Sequence, residues 1–152
     1  MQLKTHLAIS VFVVLLFLPY ISEDINKIIF AATALIATFM PDIDIRFSKA
    51  GKIPFTGILR FFTKHRGMIH SLTFGLFISV IIALFLPILA FGFFTGYSMH
   101  LVADCFTKNG IRPFWPLKFK AKGPITTGSM IERIILFVFI AVDIILFVIY
   151  LL

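Results

Sequence analysis

Acidic residues are scarce in this chain and cysteine is nearly absent. Seven Asp and Glu stand against fourteen Lys and Arg, with a single Cys in 152 residues. Lone Cys105 excludes an internal disulfide, leaves the redox compartment open and rules out a structural zinc site built on several thiolates. It follows Asp104 directly and reads as a small buried hydrophobe. Charged residues of both signs make up only 14% of the chain. A soluble domain of this length needs far more polar surface to cover its core. No low-complexity stretch and no repeat is evident.

What the chain does have is apolar bulk: 60% hydrophobic residues, 20 Phe and a mean hydropathy of +1.05. These features indicate an integral membrane protein. The length suits one domain, residues 1–152, with room for about five spans of roughly 20 residues. The expected fold is an all-α, polytopic bundle of about five transmembrane helices, at 7–21, 26–40, 70–86, 88–106 and 133–152. Short interfacial helices are expected in the two long connections, 41–69 and 105–133. The N-terminus resembles a signal sequence, but no small-x-small cleavage pattern follows Leu18-Pro19-Tyr20, so an uncleaved first helix is expected.

The basic residues are asymmetrically placed. Thirteen of the fourteen, from Lys4 through the 41–69 and 105–133 connections to Arg133, fall on one side; Lys27 alone falls on the other. The positive-inside rule then predicts an inner-membrane protein with a cytoplasmic N-terminus and an external C-terminus. Such loops meet anionic lipid more readily than nucleic acid. Membrane lipid is the expected partner, as substrate too, and nucleic acid is not expected. The segment from Arg112 to Lys120 alternates basic with aromatic residues and reads as a surface-lying stretch.

All four histidines lie at the edges of apolar runs, with aspartates beside them. His100 and Asp104 are four apart and share a helical face. Pro41-Asp42-Ile43-Asp44 ends a helix and offers two carboxylates, one or both of which face a common site. His65 and His70 are five apart, about 140° around a helix, so Gly67 implies that His65 arrives from a loop and His70 from a helix start. Ser71 is placed to cap that helix, and Arg66 has the forked donor geometry that suits a phosphate. With His6, the chain offers a His/carboxylate set, His6, Asp42, Asp44, His65, His70, His100 and Asp104. That set suits zinc, one or two ions, or manganese. Asp143, midway along the last apolar run, stands apart; it is read as hydrogen-bonded to Ser79 or Thr95, or as a carboxylate of the kind transporters use.

The pattern resembles the YdjM-like family of membrane-bound, predicted metal-dependent hydrolases. The matching pieces are His6, Pro41-Asp42-Ile43-Asp44, His65-Arg66-Gly67-Met68-Ile69-His70-Ser71, His100 to Asp104, then Thr107 and Gly110. More remotely it is similar to zinc-dependent phospholipase C and single-strand nucleases, though it lacks their N-terminal Trp and second His-x-x-x-Glu. The resemblance implies a metal-activated water acting on a phospholipid-type ester or phosphodiester at the inner leaflet. Asp42 or Asp44 is expected to accept the proton and Arg66 to hold the phosphate. The alternative is a non-catalytic metal-binding membrane protein or a metal transporter.

Overall fold

The computed structural model describes residues 1–42 and 68–152. Among them are five helices: α1 (Leu3–Phe17), α2 (Asp24–Phe39), α3 (Leu72–Ala83), α4 (Pro87–Cys105) and α5 (Met130–Leu151). Helices satisfy their backbone groups internally, which is what lipid demands of a spanning segment. Among the described residues, four stretches are long and apolar enough to cross a membrane: Leu3–Tyr20, Asp24–Asp42, Pro87–Cys105 and Met130–Leu151. The third helix is shorter than expected at 12 residues, a rise of about 18 Å. It forms a hairpin with α4 through Leu84–Leu86, because Pro87 lacks an amide proton and starts a new helix.

The bundle is built around α4. Gly92 and Gly96, one turn apart, face Phe30 and Ala34 of α2, and His100 faces Thr38 one turn further on. The two helices therefore run parallel in close contact. A side chain at Gly96 would stand 1.8 Å from the Ala34 carbonyl oxygen, so only glycine allows this approach. α1 lies antiparallel to both, with Ser10 meeting Thr38 and His6 meeting His100. On the far side of α4, Gly75 of α3 lies against the Tyr97 ring. α5 packs chiefly on α1, parallel to it, with Phe139 edge-on to Phe12. Most of its remaining surface is apolar, and much of that is exposed.

Besides the shorter α3, two helix starts depart from the sequence reading by three residues or more. α1 begins at Leu3 rather than at residue 7, and α5 at Met130 rather than at residue 133. Hydropathy alone trims these first turns because they carry Lys4, Thr5, His6 and Glu132. Residues 106–129 form turns and two isolated bridges, Thr107 with Ile125 and Ile111 with Ala121, instead of the expected interfacial helix. Pro113, Pro116 and Pro124 each remove a helical donor, which explains the difference. The interfacial helix expected in the 41–69 connection falls largely outside the described residues.

The 106–129 connection still has a structural task. The Pro113 carbonyl accepts from the Leu72 amide at 2.8 Å, while Ser71 Oγ accepts from the Phe74 amide at 3.2 Å. Both satisfy donors at the α3 N-terminus.

Candidate metal centre

Four helix ends converge at one level of the bundle. His6 comes from the first turn of α1, and Asp42 from the 3-10 turn Met40–Asp42 that closes α2. His70 sits in the turn just before α3, held there by Tyr97, whose hydroxyl donates to the Ile69 carbonyl. His100 and Asp104 come from the last turns of α4, as their i, i+4 spacing requires.

These five residues form two overlapping groups, His6/His100/Asp104 and Asp42/His70/His100, with ligand atoms within 4.8 Å of one another in each. The His6 and His100 rings stack at 3.9 Å with 5° between their planes. His6 Nε2 is 3.3 Å from Asp104 Oδ1, and His100 Nε2 is 3.7 Å from Asp104 Oδ2. Asp42 Oδ1 is 3.5 Å from His70 Nε2 and 3.7 Å from His100 Nε2. The Met1 amino group donates to Asp104 Oδ1 at 2.5 Å.

Burial divides the site into a wall and a mouth. The side chains of His6 and His100 are fully buried and that of His70 nearly so. Asp104 and Asp42 keep 18% and 31% of their side-chain surface exposed. The carboxylates thus lie toward the open end of the site and the imidazoles toward the interior of the bundle.

The donor set fits a divalent ion. His6 Nδ1 and Nε2, His70 Nδ1 and His100 Nε2 are buried without a hydrogen-bond partner among the described residues. Leaving such atoms unpaired costs about 1–3 kcal/mol each, so a cluster of them around two carboxylates calls for a ligand. Four ligands about 2.0–2.1 Å from a zinc ion stand about 3.3 Å apart, close to the N–O separations above. His100 Nδ1 lies 2.8 Å from the Thr38 carbonyl, an acceptor only, so Nδ1 carries the proton and Nε2 turns its lone pair to the carboxylates. This outer contact is typical of metal-binding histidines.

Of the residues singled out in the sequence, His6, Asp42, His70, His100 and Asp104 are brought together. Asp44, His65 and Arg66 lie outside the described residues. Ser71 caps α3 as expected. Asp143 is not paired as expected: Ser79 Oγ donates to the Gly75 carbonyl, and Asp143 Oδ1 is buried with no hydrogen-bond partner among the described residues. Thr38 and Glu132 were missed. A backbone carbonyl such as that of Thr38 has no signature in a sequence, whereas Ser129-Met130-Ile131-Glu132 has the spacing of a capping box.

A family model described as "YdjM inner membrane protein" matches residues 1–152. The chain belongs to this family. It is also similar to the protein described as "Uncharacterized protein YvsG" of Bacillus subtilis (strain 168). The two are 30% identical over 117 residues, covering 73% of each chain. No solved structure matches it.

Proposed function

We propose that the chain is a membrane-bound metal-dependent hydrolase acting at the membrane interface on a phospholipid-type ester or phosphodiester. The observation that carries this reading is the pair of His/Asp groups sharing His100, buried on their histidine side and open on their carboxylate side. His6, His70, His100, Asp42 and Asp104 would hold the ion, zinc before manganese given three imidazoles.

A divalent ion bound there supplies Lewis acidity and brings the pKa of water from about 15.7 to about 7. The chain's own residues supply the rest. Asp42, the more exposed carboxylate, accepts the proton. The stacked His6 and His100 rings close the inner side against bulk water. On sequence grounds alone, Arg66 receives the phosphate, His65 adds a ligand, and Asp44 shares the task of Asp42.

The depth of the centre supports a substrate that reaches it from the bilayer. From Pro87 to His100, α4 rises about 20 Å, against a hydrocarbon core of about 30 Å. The centre then lies near the acyl–headgroup boundary, or the bilayer thins locally. The Lys/Arg asymmetry supports a cytoplasmic N-terminus and site and an external C-terminus.

The test is hydrolysis of phospholipid and bis(p-nitrophenyl) phosphate by purified protein. Turnover that chelator abolishes, metal restores, and His70→Ala or Asp104→Ala removes would support the reading; chelator-insensitive turnover would overturn it.

A second reading, metal transport, draws on Asp143, a half-buried carboxylate midway along α5 whose Oδ1 is buried without a hydrogen-bond partner among the described residues. Metal flux into proteoliposomes that disappears in Asp143→Asn would favour it; no flux in the unaltered protein would exclude it.

A further inference from the structure

Glu132 is a carboxylate, 1% exposed, at the start of the helix that is otherwise the most exposed to lipid. Its Oε1 accepts from the Gln2 amide at 2.5 Å and from the Thr5 hydroxyl at 3.1 Å. Its Oε2 accepts from the Gly128 amide at 2.5 Å. Gly128 has φ +81°, a conformation that favours glycine and turns its amide back toward the carboxylate. One side chain thereby fastens the first turn of α1 to the first turn of α5.

The first turn of α1 carries His6, next in sequence to Thr5. Both nitrogens of His6 lack a hydrogen-bond partner among the described residues. Only its 3.3 Å approach to Asp104 Oδ1 and its stacking on His100 constrain the ring, in contrast to His100, which the Thr38 carbonyl also holds from behind. A terminal turn with free amides frays unless something ties it down.

We infer that Glu132 is a positioning residue for the metal centre, fixing the turn of α1 that presents His6 to His100 and Asp104. The inference rests on the metal reading above. The role needs a carboxylate: three donors meet two oxygens, and an amide in its place would turn an N–H₂ toward one of the donor sets.

Cobalt(II) titration of the full chain in detergent, followed by absorption spectra, tests this. Glu132→Gln should weaken cobalt binding about 10–100-fold, the usual cost of losing an outer partner. The same substitution in a His6→Ala background should cost no more than about twofold. Wild-type affinity in Glu132→Gln, or an equal loss in both backgrounds, would overturn the inference. Should Glu132→Gln fail to fold, Thr5→Val removes one of the three bonds and allows the same cycle.

Diethylpyrocarbonate labelling of metal-free protein, read by mass spectrometry, decides the point independently. His6 should be protected in the wild type and reactive in Glu132→Gln, with His70 and His100 protected in both; unchanged His6 labelling would overturn the positioning role. Absence of cobalt binding by the wild type would sink the metal reading, while the labelling would still decide the role of Glu132.

Discussion

His100 Nδ1 and the Thr38 carbonyl oxygen are 2.8 Å apart across the α2–α4 contact. The carbonyl belongs to the last turn of α2, where acceptors have no partner within the helix. One unsatisfied helix end thus orients the imidazole shared by both His/Asp groups. His100→Ala is expected to remove metal from both groups together. His6→Ala and His70→Ala each leave one group intact and should weaken binding less. Isothermal titration with zinc checks this order; an equal effect of all three would contradict a shared role for His100.

Thr38→Val keeps the carbonyl and loses the hydroxyl, which lies 2.8 Å from Ser10 Oγ and from the Ala34 carbonyl. Metal affinity should stay within a few-fold of wild type. Stability should fall by about 1 kcal/mol, the worth of a typical hydrogen bond. Thermal unfolding in detergent alongside zinc titration separates the two effects.

Gly96→Ala forces a methyl group to within 1.8 Å of the Ala34 carbonyl oxygen. Backbone cannot yield as a flexible side chain can, so α4 must move away from α2. A loss of at least the 1–3 kcal/mol typical of overpacking is expected. Since the same contact carries His100 to Thr38, zinc affinity should fall with stability.

Asp143→Leu replaces a half-buried carboxylate, whose Oδ1 has no hydrogen-bond partner among the described residues, with a side chain that suits its neighbours. A hydrolase centred on the His/Asp groups predicts a higher melting temperature and unaltered zinc content. A stability loss would mean that Asp143 has a partner outside the described residues; lost metal content would move it into the centre.

Much of the architecture is legible in the amino-acid sequence because lipid imposes simple demands. Long apolar runs broken by Pro19, Pro41 and Pro87 mark the segments, and the spacing of His100 and Asp104 assigns a common face. The convergence of His6 with His100 is not legible in the same way. It depends on Gly92 and Gly96 drawing α2 against α4 and on Glu132 holding the first turn of α1. Hydropathy places the start of α1 too late because Lys4, Thr5 and His6 are polar, yet Glu132 supplies the acceptor that lets the helix begin at Leu3. The Thr38 carbonyl is invisible to any reading based on side-chain identity. For the 105–133 connection, its polar length suggests a helix, while its prolines prevent one.

Elemental analysis of the purified, folded protein and of His100→Ala tests the central claim most directly. A divalent metal that accompanies the wild-type chain and is lost in the folded variant is the predicted result. No metal in well-folded wild type, or equal content in both, would contradict a metal centre at these helix ends.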